Sequence, residues 1–373
     1  MDMHQPVEVP KQTRAAIEQS MQAGLTPGAQ VCIRRGGRIV GELAIGEARP
    51  GVAMTADTLL PWMSMTKPVV AAAVMQQIER GRLGLEDPVA QHIPEFSAAG
   101  KGDITILHLL THTAGLRKSL HLESGKTWEQ IIQEICQAPA EADWPAGRKA
   151  GYHVSSSWYL LGEIVRRVDG RMIDAYVRQE IFEPLGMSDC WLAMDVQQQA
   201  AYGDRIGLMY KTGTSRIEPN AGSGSPQELA RIRPGASGRG PARQLSRFFQ
   251  MLLDGGELEG RRVLSAESVQ AMTARQRVGM VDQTFGHVMD WGLGLILNSA
   301  EYRDLATLPY NFGPGASRDT FGHGGAQSSI AFADPQQNIV VVIILNGQPG
   351  EPKHHQRMTP ILAGVWEDIA AMA

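Results

Sequence analysis

At 373 residues the chain can bury about three quarters of its unfolded surface, and with 43% hydrophobic and 20% charged residues, 41 Gly and 21 Pro it reads as a turn-rich globular protein. That composition excludes collagen and general disorder. A formal net charge of −4 carries no basic footprint for nucleic acid or an anionic membrane, so a small neutral or polar ligand is expected. Cys32, Cys136 and Cys190 form no CxxC pair and read as reduced packing residues, with no metal and no disulfide framework implied.

The N-terminus lacks the basic start and apolar core of a secretory signal, so a cytoplasmic protein is expected. Thr13 to Ala23 spells a first helix, and Ala29 to Gly46 a hairpin turning at Gly36 and Gly37. Helical periodicity follows at Val69 to Arg80, Trp128 to Cys136, Ser157 to Val168 and Ala242 to Leu253. Ala221 to Gly240, rich in Gly, Ser and Pro, reads as a long surface loop. A second hairpin, Ser328 to Ala333 with Asn338 to Leu345, precedes an amphipathic stretch from His355 to Met372. The longest apolar run, Ile339 to Leu345, is too short to span a bilayer and reads as a buried strand.

Two hairpins with terminal helices predict one antiparallel sheet built from both chain ends, an α/β (α+β) architecture. The whole chain, 1–373, is expected to be one domain. Its α/β part takes about 1–60 and 255–373 and its mainly helical part about 61–254.

HExxH, GxSxG and a complete P-loop are absent. Ser64-Met65-Thr66-Lys67 remains, at a predicted coil-to-helix junction. Residues three apart share a helix face, so Lys67 would lie beside the Ser64 hydroxyl. A desolvated amine can take the serine proton, and a helix N-terminus favours a developing oxyanion. An N-cap serine followed by an exposed lysine has the same spelling. Lys67, however, sits in an apolar setting, after Trp62-Met63 and before Pro68-Val69-Val70-Ala71.

With further strings, the sequence resembles the serine β-lactamase and penicillin-binding-protein superfamily, in the class C-like branch that includes family VIII carboxylesterases. Those strings are Leu109-Leu110-Thr111-His112-Thr113-Ala114-Gly115-Leu116, Glu183-Pro184-Leu185-Gly186-Met187 and Phe321-Gly322-His323-Gly324-Gly325. The resemblance runs from about residue 25 to 350 and implies a β-lactamase-like fold, a single catalytic domain with its active site at the junction of the α/β and helical parts, and a serine acyl-enzyme.

By that resemblance Tyr152, after Pro145-Ala146-Gly147, is the catalytic tyrosine, although the family pattern Tyr-x-Asn is here Tyr152-His153-Val154. A register shifted by one would place His153 at the tyrosine position and Ser155 at the asparagine. Tyr152 is preferred, because a phenol can relay protons between Ser64, Lys67 and a leaving group. Two strings compete for the third element, Lys211-Thr212-Gly213 and His323-Gly324-Gly325. The second leads directly into the C-terminal hairpin, as an oxyanion strand should, and its small residues would give a substrate room. The resemblance then implies an oxyanion hole from the Ser64 and Ala326 amides. Gly324 and Gly325 would line the substrate strand, and Trp291-Gly292-Leu293-Gly294 resembles the family's strand before that segment, with Trp291 either shaping a pocket wall or packing in the core. His112 is expected to hold its turn, and His354-His355 to face solvent at a helix start.

The reading is a serine hydrolase acting on a small ester or amide without metal or organic cofactor, with neutral esters favoured. A mostly neutral His323 stands where the superfamily keeps a permanently cationic lysine, which weakens the site for a substrate carboxylate. A β-lactamase, a D-amino-acid peptidase or amidase, and an acyltransferase would use the same residues. A catalytically impaired binding or scaffold protein is the alternative from another class.

Overall fold

Gly36 (φ 55) and Gly37 (φ 79) turn the first hairpin, whose two left-handed positions suit glycine and match the strand twist. Its strands are β1 (Gly28–Arg35) and β2 (Arg38–Arg49), followed by the short β3 (Val52–Ala53). The computed structural model describes residues 7–117, 125–305 and 307–372. The C-terminal half supplies β4 (Ile296–Leu297), β5 (Phe321–Gly325), β6 (Ser329–Asp334) and β7 (Ile339–Leu345). These strands form one antiparallel sheet in the order β4-β5-β6-β7-β1-β2-β3. The two chain ends meet at β7 and β1, with Cys32 opposite Val342.

All seven residues of β7 are buried because the strand separates two cores. Val340, Val342 and Ile344 pack with Leu245 and Phe248 of helix α4 (Ala242–Leu253). Val341, Ile343 and Leu345 join Ile17 of α1 (Lys11–Gln22) and Ile361 of α5 (Glu351–Ala371). Successive side chains point to opposite faces, and a strand covered on both reads as a continuous apolar run. Truncating such an isoleucine to alanine costs about 2–5 kcal/mol. Pro10 gives α1 no capping side chain. Instead, the Asp368 carboxylate of α5 accepts the Thr13 amide at 2.8 Å and its hydroxyl at 2.7 Å.

Helix α2 (Lys67–Glu79) is buried from Lys67 to Gln77, consistent with a sequence that is apolar or small on nearly every face. It packs on α3 (Ser156–Asp169), which ends at the left-handed Gly170 (φ 93). Helix α4, grouped above with the helical part, packs on β1 and β7.

Three local expectations need correction. Helix α5 starts at Glu351, not His355, because Gly350 (φ 92) ends the preceding chain and Pro352 fits a helix's first turn. Trp291 to Gly294 is not a strand: Trp291 makes isolated antiparallel bridges to Arg277 and Ile296, the chain bends at Leu293 and Gly294, and the strand that pairs with β5 begins at Ile296. The supposed surface loop Ala221 to Gly240 buries Pro234, Gly235 and Gly238 to Gly240.

Candidate active site

Ser64 occupies a single 3-10 turn, Met63–Thr66, that feeds into α2. Lys67 opens that helix, three residues along, and is completely buried. Its Nζ donates to Ser64 Oγ at 3.0 Å and to the Gly235 carbonyl at 2.8 Å. The amine also lies 5.0 Å from the centre of the Tyr152 ring and 5.6 Å from that of Trp158. Met63 takes a left-handed φ of 51, a conformation that costs energy in a non-glycine residue and is held by the structure around it.

The buried second half of the 221–240 stretch clamps this turn. Trp62 N–H donates to the Gly238 carbonyl at 2.7 Å, and Gly238 N–H to Thr66 Oγ1 at 2.9 Å. Leu60–Pro61 pairs with Arg239–Gly240 as a short antiparallel ladder. A Cβ on Gly238 would come within 2.7 Å of Thr66 Oγ1 and 2.6 Å of Trp62, so the approach requires glycine. Sequence reasoning passed over these residues. The alternation Gly235, Gly238, Gly240 was the available signal, and it marks close backbone approach as readily as a flexible loop.

Tyr152 precedes α3 and is almost fully buried. Burial pushes its phenol above the ordinary range, while the Ser64 hydroxyl beside it pulls the other way. The phenol is therefore protonated at neutral pH and is a proton donor. The neighbouring His153 is occupied elsewhere. Its Nε2 accepts the Leu116 amide at 3.2 Å, so Nδ1 carries the proton it shares with Ser157 Oγ at 2.7 Å. Burial, then Arg277, push its imidazole down to about 3. Of the two registers, the geometry brings Tyr152 to Ser64 and leaves His153 tying the 112–117 turn to α3. Ser155, the asparagine position of the shifted register, lies at the N-cap of α3. His112 has the expected holding role, its Nδ1 accepting the His153 amide at 3.0 Å.

A buried ion pair missed by the sequence reading supports this tyrosine. Asp282 accepts the Tyr152 amide at 3.1 Å, and Arg277 donates to Asp282 at 3.0 Å and to the Thr111 carbonyl at 3.1 Å. Both residues are buried, so removing either one would strand the other's charge.

Ser64, Tyr152, His323, Gly324 and Ala326 line one cavity of about 530 Å³. Its wall is largely apolar, with Val154, Phe285, Ile296, Pro309 and Tyr310. The family asparagine position is thus Val154, 60% exposed. No lysine or arginine lines this cavity among the described residues, and Glu351 is its one carboxylate, accepting from the Tyr310 phenol at 3.0 Å. His354 and His355, expected to face solvent, line it too, and His354 is buried.

His323 Nδ1 lies 2.7 Å from the Gly324 carbonyl, which can only accept, so Nδ1 carries the proton. Nε2 is left as a buried lone pair without a partner among the described residues. Burial, then the nearby Lys67, push the imidazole down to about 3, so it is neutral near pH 7. Ser64 N–H and Ala326 N–H have no backbone acceptor among the described residues, and left-handed Gln327 (φ 54) follows Ala326.

Of the two β5 glycines expected to line the substrate strand, Gly324 lines the cavity and Gly325 does not. A Cβ on Gly325 would meet the Trp62 carbonyl at 2.4 Å and Ser329 Oγ at 2.2 Å, and one on Gly324 would meet Tyr310 at 2.0 Å. They bring β5 against the Ser64 turn and the Tyr310 ring. Trp291 does not line the cavity either. Fully buried, it backs Tyr152 and His323 at ring-centre distances of 5.8 and 5.6 Å. Lys211 is exposed, at the end of the short strand Met209–Lys211 and apart from the Ser64 cavity. Thr212 is tied to the Leu25 carbonyl at 2.8 Å.

The Beta-lactamase family model matches residues 13–364. The chain belongs to the beta-lactamase family. Esterase EstB of Burkholderia gladioli is 26% identical over 362 residues, covering 89% of each chain. A penicillin-binding-protein homologue from Caulobacter crescentus superposes with a TM-score of 0.78 at 29% identity, covering 95% of this chain and 97% of its own. A family VIII carboxylesterase superposes at 0.76 with 25% identity, covering 98% and 99%. This family fold has no group of three or more metal-ligating side chains among the described residues, and no described helix is long and apolar enough to cross a membrane.

Proposed function

We propose that this beta-lactamase-family chain is a serine hydrolase that cleaves small, neutral carboxylic esters through an acyl-enzyme on Ser64. One observation carries the reading. Ser64 Oγ lies 3.0 Å from the buried Lys67 amine and beside the Tyr152 phenol, in a cavity without a lysine or arginine in its described lining. The esterase relative and the carboxylesterase structure point the same way.

In its neutral form Lys67 accepts the Ser64 proton across the same 3.0 Å contact, with Oγ–H now the donor, as Oγ bonds to the ester carbonyl carbon. The resulting oxyanion accepts from the Ser64 and Ala326 amides, donors already fixed by the Met63–Thr66 turn and the end of β5. The carbon–alkoxy bond then breaks. Tyr152 gives its proton to the departing alkoxide and regains one from Lys67. Water, giving its proton to the same pair, then bonds to the acyl carbon; the carbon–Oγ bond breaks, Ser64 Oγ takes the proton back and the acid departs. An acyl acceptor other than water would make the reaction a transfer.

Specificity follows from charge. A β-lactam or a peptide C-terminus brings a carboxylate that would meet neutral His323 and acidic Glu351 with no compensating cation. A panel of short 4-nitrophenyl esters, a chromogenic cephalosporin and benzylpenicillin, read beside Ser64→Ala, tests the reading. Esters should turn over at least about 10²-fold faster in kcat/KM, a difference on the scale of an unpaired buried charge, and Ser64→Ala should abolish both activities. Equal kcat/KM for the two classes, or ester hydrolysis retained in a folded Ser64→Ala protein, overturns it.

A further inference from the structure

A second cavity, of about 450 Å³, shares no lining residue with the Ser64 cavity yet borders the same segment through Pro61 and Met63. Its charge is the reverse of the first. Arg231, Arg233 and Arg239 line it, against Glu228 as the one acid among the described lining residues. Glu228 is already engaged, ion-paired with Arg233 and lying 3.7 Å from Arg231. The cavity therefore keeps a net positive charge.

Arg239 decides what this cavity suits. The residue is 6% exposed, and its Nη2 donates to the Ser223 carbonyl at 2.9 Å. Its buried Nη1 has no acceptor among the described residues, and none of their carboxylates forms an ion pair with it. Burial, then repulsion from Arg233, push the guanidinium down to about 10, which still leaves it charged at neutral pH. A buried cation without a counterion is unfavourable unless another group supplies one. The planar fork of a guanidinium matches the paired oxygens of a carboxylate or phosphate.

We propose that this cavity binds a small oxyanion, a carboxylate or phosphate group, with Arg239 as its central contact and Arg231 beside it. Two sources share that chemistry, a free metabolite-sized anion and an anionic tail carried on the acyl chain of an ester. The site is one strand from the segment that leads to the nucleophile, since Arg239–Gly240 pairs with Leu60–Pro61.

Calorimetric titration of the Ser64→Ala protein with inorganic phosphate and with succinate, at fixed ionic strength, reads the site without turnover. Saturable binding with one anion per chain is expected, weakened at least about tenfold in Arg239→Gln, as for loss of a charged hydrogen-bond partner. Arg231→Gln, at a side chain 33% exposed, should weaken it about threefold and serves where Arg239→Gln fails to fold. The 4-nitrophenyl half-ester of succinic acid, compared with the butyrate in otherwise wild-type protein, separates the sources. A tail on the substrate predicts that Arg239→Gln lowers kcat/KM for the half-ester alone, whereas a free ligand predicts no selective loss. Absence of saturable binding by either anion, or binding unchanged in both variants, overturns the proposal.

Discussion

The carbonyl oxygen of Gly235 accepts a hydrogen bond from Lys67 Nζ at 2.8 Å, so a glycine in the middle of the chain aims the amine at Ser64. A Cβ at this position would lie 3.2 Å from both Nζ and the Trp158 side chain. Gly235→Ala should therefore move the amine by a few tenths of an ångström. Misplacing a proton acceptor by that amount should lower kcat about tenfold while KM changes little. Steady-state kinetics on short esters, with a thermal melt to verify folding, checks this. An unchanged kcat would remove Gly235 from the positioning of Lys67.

Tyr152 and His153 make opposite predictions. Tyr152→Phe keeps the ring contacts with His112 and Trp291 and removes only the hydroxyl, so kcat should fall by about 10² or more with little loss of stability. His153→Ala leaves the Leu116 amide and Ser157 hydroxyl without their buried partner. It should cost about 1–3 kcal/mol per group in stability, with a smaller effect on kcat in the molecules that stay folded. Denaturant melts beside kinetics distinguish the two, and the reverse order would exchange their roles.

These pairs also separate what the sequence could show from what it could not. Ser64 and Lys67 were legible because a single helical turn, here the 3-10 turn that leads into α2, brings residues three apart together. The sheet was legible because β1, β2, β6 and β7 each carry their own periodicity and turn residues. Gly235, Asp282 and Glu351 reach the site through long-range packing, 168 residues separating Lys67 from Gly235, and no local pattern encodes such a meeting. The glycines of β5 were seen, but the atoms they make room for, the Trp62 carbonyl and the Tyr310 ring, lie on other segments. The position of Trp291 behind Tyr152 likewise depends on how four aromatic rings stack, which its Gly-flanked motif does not specify.

The charge of the Ser64 cavity is open to direct alteration at Glu351. Replacing this carboxylate by an amide, Glu351→Gln, keeps an acceptor for the Tyr310 phenol and removes the like charge facing an anionic substrate. The ratio of kcat/KM for a neutral ester to that for a chromogenic cephalosporin should narrow about fivefold, the effect of removing roughly 1 kcal/mol of repulsion. An unchanged ratio would show that shape, not charge, sets the preference.

Acid should destabilise the fold above the range in which carboxylates titrate. His153 and His323 are both pushed from an ordinary value near 6.5 down to about 3, chiefly by burial. The unfolded chain therefore takes up protons first as the pH falls, so their contribution to stability is full above about 6.5 and is lost progressively toward 3. Each contributes at most about 1.4 kcal/mol per pH unit in that window. His112 and His354, also lowered by burial, act in the same direction. The thermal midpoint should be flat from pH 7 to 8 and fall steadily from 6.5 to 5, with a shallower fall in His323→Gln. A flat profile from 7 to 5 would contradict the buried neutral histidines.

The two glycine-containing strings can be told apart by where a methyl group would go. At Gly325 it would enter the space of the Trp62 carbonyl and of Ser329 Oγ, forcing β5 away from the Ser64 turn. Backbone cannot rotate aside as a side chain can, so Gly325→Ala should cost about 1–3 kcal/mol of stability and displace the Ala326 amide from the oxyanion. The folded fraction, isolated at low temperature and counted by phosphonate titration of Ser64, should show kcat reduced at least about 10²-fold. Lys211→Ala removes an exposed side chain remote from that turn. It should change stability by less than about 0.5 kcal/mol and leave kcat/KM within a few fold. If Lys211→Ala were instead as damaging as Gly325→Ala, the Met209–Lys211 strand would have to supply substrate contacts, and the oxyanion could no longer be assigned to the end of β5.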